Sequence, residues 1–316
     1  MYNILGFDIG GTKCAIVTAS YAGAKIRVLK KELIATDHSI DAYEMIDRMI
    51  EAADRLIERK PDKIGISCGG PLDCERGIIM SPPNLPGWDN IEIVRYIEEH
   101  YNAPAKLQND ANACALAEWK FGAGIGCENM IFLTFGTGLG SGLILNGRLY
   151  EGTNGNAGEI GHIRLEKDGP IGYGKNGSFE GFCSGGGLAQ LGYIKALECI
   201  ENGTYPSYFK EDMSQNDVTA KSIADAAEMG DPTAREVYRL SGKYLGKGLS
   251  ILIDILNPEK IIIGSIFARN QALFCEAMKK EIAKEALSFS ADRCQIVAAK
   301  LGEAIGDYAS IATALT

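Results

Sequence analysis

Two short glycine segments constrain this chain more than any other feature of it. Gly10-Gly11-Thr12-Lys13 lies between the apolar runs Asn3–Ile9 and Cys14–Ala19. Gly136-Thr137-Gly138-Leu139-Gly140-Ser141-Gly142 lies between Met130–Phe135 and Leu143–Leu145. Each therefore reads as a turn from strand into strand. Neither is a P-loop, because Gly-x-x-x-x-Gly-Lys-Ser/Thr occurs nowhere in the sequence. Neither is the dinucleotide fingerprint, whose third glycine is replaced by Ser141 or Leu143, and both of those motifs run from strand into helix. A hairpin tip of bare glycines presents backbone N–H groups in a concave nest that suits an anion. One such tip is also an ordinary tight turn. Two of them, one beside Asp8, Thr12 and Lys13 and the other carrying Thr137, are better explained together, as grips on one polyphosphate from opposite sides of a cleft. Asp8 ends a buried-looking strand, where a hydrated Mg²⁺ on the phosphates would satisfy its charge; a turn-capping aspartate is the plain alternative. Lys13 either steadies a phosphate or starts the next strand facing solvent.

The rest of the pattern is α/β. A third strand covers Lys25–Ala35, and Ile46, Met49, Ile50, Ala53, Leu56 and Ile57 recur at helical spacing within Asp41–Arg59. A buried strand, Lys63–Ser67, a helix over Ile91–His100 and a strand over Ala105–Gln108 lead to Asn109-Asp110. The next helix runs from Ala111 to about Phe121. Residues 146–187 are rich in Gly and Asn and read as irregular loops over a binding site. Helices dominate from Gly187 to Asn257, and the strand Lys260–Ile263 opens a last unit with helices at 271–287 and 303–314. A length of 316 residues fits about two domains. The chain carries 38 glycines, well above an average share, with no Gly/Ser repeat to absorb them, so they belong in turns. Nine cysteines form no C-x-x-C pair and sit mostly among apolar neighbours; they read as buried thiols of a reducing, cytoplasmic compartment. A net charge of −9 spread along the chain argues against nucleic acid as a partner. No secretory leader or membrane span is legible.

Five ordered segments carry a resemblance. Asp8-Ile9-Gly10-Gly11-Thr12-Lys13, Ser81–Trp88, Asn109-Asp110-Ala111-Asn112-Ala113, the second glycine turn and Gly158-Glu159-Ile160-Gly161-His162 are similar to the ROK family of sugar kinases and sugar-responsive repressors. The stretch from Gly242 to Pro258 looks like the same family, so the likeness spans nearly the whole chain. It implies an α/β, two-domain actin-like ATPase (ribonuclease H-like) fold with an interdomain cleft. The first domain would be residues 1–110 plus about 302–316, and the larger second domain, 111–301, would carry most nucleotide and dimer contacts. The implied activity is ATP-dependent phosphorylation of a hexose or hexose derivative, glucokinase-like and at the 6-hydroxyl, with ATP and Mg²⁺ as cofactors and a homodimer as the assembly. Asp110 would be the general base. Gly70, Asn84, Asn109, Asp110, Glu159, His162 and Glu180 would hold the sugar. Asp8, Gly10, Gly11, Thr12, Lys13, Gly136, Thr137, Gly138 and Gly264 would hold ATP and its phosphates, with Asp8 binding Mg²⁺ through water.

The residues support this chemistry on their own terms. Phosphoryl transfer needs a positioned γ-phosphate and an in-line hydroxyl, and one carboxylate beside that hydroxyl can take its proton. Asp110 lies at a strand-to-helix junction, where helix N–H groups favour its ionised form; a simple helix N-cap would sit in the same place. His162 alone could be structural, but Glu159 three residues earlier in a glycine-rich segment favours a ligand contact.

The sequence departs from the family pattern twice. Many members hold zinc with the histidine of the Glu-x-Gly-His segment and three cysteines of C-x-C-G-x-x-G-C-x-E. Here Ile171, Tyr173 and Ser178 replace those cysteines, so no structural zinc is expected. The second departure is Gly264-Ser265-Ile266, where a run of glycines is usual near the adenosine. Two other functions are weighed against the kinase. A sugar-responsive regulator would need a DNA-reading domain, and only Met1–Phe7 precede Asp8. A catalytically silent sugar-binding protein of the same fold is the other.

Overall fold

The computed structural model describes residues 1–23 and 25–316. The structure is mixed α/β with two five-stranded sheets, and the chain divides into two compact units. The first unit comprises Met1–Gly126, Gly142–Ala157 and Lys300–Thr316, and the second Cys127–Ser141 and Gly158–Ala299.

Strands β1 (Tyr2–Ile9), β2 (Lys13–Ala22) and β3 (Lys25–Ala35) are antiparallel neighbours, followed by helix α1 (Ala42–Leu56). Asp41 starts α1 by accepting the Glu44 N–H at 2.9 Å, the role its short acidic side chain suits. Then come β4 (Lys63–Cys68), the small hairpin β5 (Leu72–Asp73) and β6 (Ile78–Ile79), α2 (Ile93–Tyr101), β7 (Ala105–Asn109) and α3 (Asp110–Phe121). The sheet order is β3-β2-β1-β4-β7, with β4 parallel to both β1 and β7. A parallel strand is covered on both faces, which explains why Ile64, Ile66 and Cys68 are all buried. On one face Met45, Ile46, Met49 and Ala53 of α1 join Leu5, Phe7, Ile16 and Ile66 in the main core.

The chain continues through β8 (Met130–Leu133), β9 (Ser141–Leu145), β10 (Arg148–Leu149), the hairpin β11 (Ile171–Gly172) and β12 (Lys175–Asn176), and α4 (Phe179–Phe182). Helices α5 (Gly185–Glu201), α6 (Ala220–Glu228) and α7 (Pro232–Leu256) follow. The last stretch is β13 (Lys260–Ile263), α8 (Ser265–Arg269), α9 (Gln271–Glu285), α10 (Ser288–Ala291), β14 (Gln295–Ala298) and α11 (Ile305–Thr313). The second sheet has the order β10-β9-β8-β13-β14. Helix α11 lies on the sheet of the first unit, where Ile311 and Ala314 meet Ile4, Val17 and Ala19. Gly65 is what permits this approach: a β-carbon there would collide with the Ser310 carbonyl oxygen.

Three local expectations are revised. The strand expected over Met130–Phe135 ends at Leu133, because Thr134 folds back to donate to Gly140 O at 3.0 Å and Phe135 adopts a φ of 32°. The helix expected from Gly187 begins at Gly185, where Ser184 caps it by accepting the Gly187 N–H at 2.9 Å. Only Cys14, Cys68, Cys127 and Cys183 are buried, and the other five cysteines are half-buried. Among the described residues, no helix is long and apolar enough to cross a membrane.

Candidate functional site

In the first unit, β1 and β2 meet through the turn Gly10-Gly11-Thr12, with Ile9 paired to Cys14 and the Gly10 N–H bonded to Lys13 O at 3.2 Å. Protein donors hold each carbonyl of the turn. The Thr36 hydroxyl donates to Gly10 O at 2.6 Å, His38 Nε2 lies 2.7 Å from Gly11 O, and the Thr36 N–H donates to Thr12 O at 3.0 Å. Fixing a carbonyl fixes its peptide plane, and with it the direction of the next N–H. The nest an anion would use is therefore pre-set. Thr36 and His38 were not legible as site residues, since polar residues after a strand carry no periodic signal.

Asp8 sits beside this turn, opposite Ser67 of β4. Burial pushes its carboxyl up to about 6 from an ordinary 3.8, and the nearby Asp110 and Asp307 carboxylates add to the rise. The Lys31 ammonium pulls it back; Lys31 is itself paired with Asp307 at 2.6 Å. Helix α11 presses on Asp8 from its N-terminal turn, where a β-carbon on Gly306 would collide with the Asp8 carboxylate.

The second feature of this unit is the junction of β7 and α3. Asn109, not Asp110, is the helix N-cap: its Oδ1 accepts the N–H groups of Ala111 and Asn112 at 3.0 and 3.4 Å. Asp110 is the first helical residue and is exposed, with Oδ1 accepting the Ala111 N–H at 2.8 Å. That bond sets the carboxylate against the N-terminal turn of α3. Gly69 and Gly70 lie against this junction. A β-carbon on Gly70 would sit 3.5 Å from the Asn109 amide nitrogen, and one on Gly69 would sit 3.5 Å from the Asn84 amide. Asn84 in turn packs its backbone on Gly11, where any β-carbon would collide with the Asn84 carbonyl. Asp8, Gly10–Lys13, Gly70, Asn84, Asn109 and Asp110 thus belong to one neighbourhood.

In the second unit, the turn between β8 and β9 is wider. The Thr134 N–H bonds to Gly140 O at 3.0 Å, and the Gly136 N–H bonds to Gly138 O at 3.0 Å. Glu180 Oε2 accepts the Leu139 N–H at 3.0 Å and lies 2.7 Å from where a β-carbon on Gly138 would be. The first N–H groups of α5 complete the frame, Gly185 donating to Gly136 O at 2.8 Å and Gly186 to Thr137 O at 3.4 Å. Gly264, the residue before α8, donates its N–H to Leu133 O at 2.9 Å. Ser265 has a φ of 52°, a left-handed value that glycine adopts at no steric cost. The departure from a glycine run is therefore a place where this chain carries backbone strain. A cavity of about 660 Å³ opens beside the turn, lined among others by Thr137, Gly185, Ala220, Lys221, Ile266 and Arg269. Its walls mix small apolar residues with Thr137, Lys221, Asp225, Arg269 and Asn270. Its lining comes from four segments distant in sequence, so no local motif announces it.

Glu159 is exposed and precedes the 3-10 turn Ile160–His162. That turn packs on the glycine turn, since a β-carbon on Gly161 would lie 2.5 Å from Leu139 O. His162 is held through its backbone, its carbonyl accepting Lys175 Nζ at 2.6 Å, while its ring meets Tyr173 edge-on at 5.1 Å. The stretch from Ile171 to Glu180 is braced by protein groups. Ser178 caps α4 by accepting the Gly181 N–H at 3.1 Å, and Arg164 donates to Asn176 O at 2.7 Å. Among the described residues, no three His, Cys, Asp or Glu side chains cluster as a metal-binding group.

Comparison with known proteins adds a family. The ROK family profile matches residues 4–313. The glucokinase of Halalkalibacterium halodurans is 32% identical over 310 residues, 96% of this chain and 92% of that protein. The crystal structure of a ROK family glucokinase from Streptomyces griseus with glucose and AMPPNP aligns with a TM-score of 0.78 at 30% identity, over 99% of both chains. A ROK family transcriptional regulator homologous to the Escherichia coli MLC protein aligns with a TM-score of 0.83 at 26% identity, over 99% of this chain and 78% of the regulator.

Proposed function

The chain belongs to the ROK family and is a sugar kinase; from there we propose that it transfers the γ-phosphoryl group of ATP to the 6-hydroxyl of a hexose or hexose derivative, with Asp110 as general base. The observation that supports this most is the position of Asp110, an exposed carboxylate on the first residue of α3, one residue from the Asn109 cap. A sugar hydroxyl beside it would lose its proton to the carboxylate as the new O–P bond forms. Gly70, Asn84 and Asn109 would hold the sugar from the first unit, and Glu159, His162 and Glu180 from the second. The turn at Gly10–Lys13 and the turn at Gly136–Gly138 would grip the phosphates, and Gly264 would approach the adenosine. Closing such a site excludes water, which otherwise competes with the sugar for the phosphoryl group.

The donor set at Asp8 fits Mg²⁺: a hard, anionic oxygen donor whose burial and acidic neighbours make its charge costly, which a hard cation would relieve. When bound through water there, the ion would offset charge on the transferring phosphoryl group. No zinc is proposed for the loop after Gly161-His162, because Ile171, Tyr173 and Ser178 stand where the family pattern has cysteines. Stoichiometric zinc in unchelated protein would refute that reading. A homodimer is proposed as the assembly, and sedimentation at a monomer's rate at assay concentration would exclude it.

The test is a coupled ADP-release assay across a panel of hexoses, run with Asp110→Asn beside the wild type. The substitution is expected to lower turnover by about 10²-fold or more while sugar affinity stays within several-fold. Retention of most activity would remove Asp110 from the base role. The likeness to a regulator structure keeps a second reading in view, a silent sugar binder. It wins if no sugar stimulates ADP release but one still raises Tm.

A further inference from the structure

Gln108 is the penultimate residue of β7, only 7% exposed, and directly precedes the Asn109–Asp110 junction. Its side-chain oxygen accepts the Asn109 N–H at 2.8 Å and Asn112 Nδ2 at 3.2 Å, and the Cys74 thiol lies 3.8 Å from the same atom. Its Nε2 donates to Glu151 Oε1 at 3.0 Å. Chemistry sets the orientation of this amide. A backbone N–H can only donate and a carboxylate can only accept, so a flipped amide would face donor with donor and acceptor with acceptor. The four partners come from separate stretches of the first unit: the β5–β6 hairpin, α3, the junction itself and the segment after β10. A buried amide whose two ends are both committed has one arrangement, and the peptide plane it holds has one direction.

We infer that Gln108, braced by Glu151, is a positioning residue for the reaction: it fixes the Asn109 peptide plane and thereby the aim of Asp110. The inference rests on the kinase reading for its consequence, because a base displaced by a fraction of an ångström loses much of its effectiveness. The Glu151 carboxylate lines a cavity of about 1070 Å³ that also reaches Gln108. Losing Glu151 therefore leaves the amide facing a space that water can fill, so the fold survives while the orientation is no longer enforced.

The experiment is a four-member cycle: wild type, Gln108→Glu, Glu151→Gln and the double variant. Gln108→Glu is isosteric and keeps an acceptor for the Asn109 N–H, but it sets a second carboxylate oxygen against Glu151. At pH 8 its kcat is expected to fall about ten-fold with the KM for ATP within about two-fold. The loss shrinks as pH falls, because two facing carboxyls can share one proton. Adding Glu151→Gln supplies the missing donor and returns kcat to within about three-fold of wild type. A residue that only supports the fold would lower Tm without a pH-dependent, rescuable kcat loss. A second readout needs no turnover: hydrogen exchange at Asn109–Ala113 speeds up in Gln108→Glu and returns toward wild type in the double variant. Unchanged exchange in Gln108→Glu, or a kcat loss that Glu151→Gln does not rescue, overturns the inference. If Gln108→Glu does not fold, Glu151→Ala carries the same two readouts, and unchanged kcat and exchange there overturn it. A wild type that phosphorylates no sugar defeats the kinase reading instead, and the exchange data still decide the bracing.

Discussion

The two glycine turns look alike in sequence and are built differently. The first, between β1 and β2, is tight and takes its support from side chains and backbone just beyond β3, with Thr36 and His38 holding its carbonyls. The second, between β8 and β9, is wider and is held by the opening N–H groups of α5 and by one carboxylate, Glu180. What they share is the atom that is restrained: in both, the protein occupies carbonyl oxygens. Restraining acceptors leaves the direction of the donors fixed, which is what an anion site requires. The turns also share a second feature, since each packs against a proposed sugar residue of its own unit, Asn84 on Gly11 and Glu180 on Gly138. The difference lies in what gives way under pressure: backbone in the first case, a side-chain tip in the second.

That difference is open to direct attack by adding one methyl group to each turn. In Gly11→Ala the new β-carbon collides with the Asn84 carbonyl, and no rotamer change can relieve it. The expected loss in kcat/KM is about 10²-fold or more, with KM rising for sugar and ATP together, because the Asn84 loop and the turn must part. In Gly138→Ala the nearest atom is Glu180 Oε2 at 2.7 Å, the end of a rotatable side chain, so the expected loss is smaller, about ten-fold. Steady-state kinetics on both variants check this. Equal losses, or the reverse order, would mean that the two turns are supported alike.

The parts of this molecule that a reader of the sequence could see are those with a local period or a local composition. The strands Lys25–Ala35 and Lys260–Ile263 have the bounds expected from the sequence. Asp110 was legible as a junction residue, but Asn109 and Asp110 are both good caps, and only the structure shows that Asn109 takes the role. Thr36, His38 and Gln108 were invisible for a physical reason: their partners are backbone atoms and side chains brought close by the sheet, and a single polar residue carries no period. The cavity beside Thr137 was hidden likewise, because α5, α6 and α8 assemble it from separate stretches. The family pattern implies a sugar contact for Glu180, and nothing in that pattern signals its bond to Leu139.

Beside the first turn lies Asp8, whose carboxyl burial pushes up. A carboxyl at about 6 in the folded chain and 3.8 in the unfolded one makes the folded state bind more protons between those values. Stability therefore falls as pH rises from about 4 to 6 and stays lowered above that range. Asp8→Asn removes the charge that burial opposes. In metal-free buffer at pH 8 it is expected to be more stable than the wild type, by at most about 3 kcal/mol, while losing kinase activity. The gap should close as pH approaches 4. Urea unfolding of both proteins at several pH values measures it, and a gap independent of pH would place the Asp8 carboxyl near its ordinary value.

The smallest expected effect probes the strain that belongs to the second turn alone. Phe135 and Ser265 both hold positive φ, 32° and 52°, and are joined by the bond from the Ile266 N–H to Phe135 O at 3.1 Å. A residue with a β-carbon in this region costs about 1 kcal/mol or more, a cost the first turn does not carry among its own residues. Ser265→Gly relieves it but adds freedom to the unfolded chain, which takes back roughly 0.5–1 kcal/mol. The hydroxyl it removes accepts a long contact from Arg269, at 3.5 Å. The net change in Tm should therefore be zero to slightly positive, with the KM for ATP within about two-fold of wild type. A clear fall in Tm would show that the serine is held there by a favourable contact, and that the second turn is supported by side chains as much as the first.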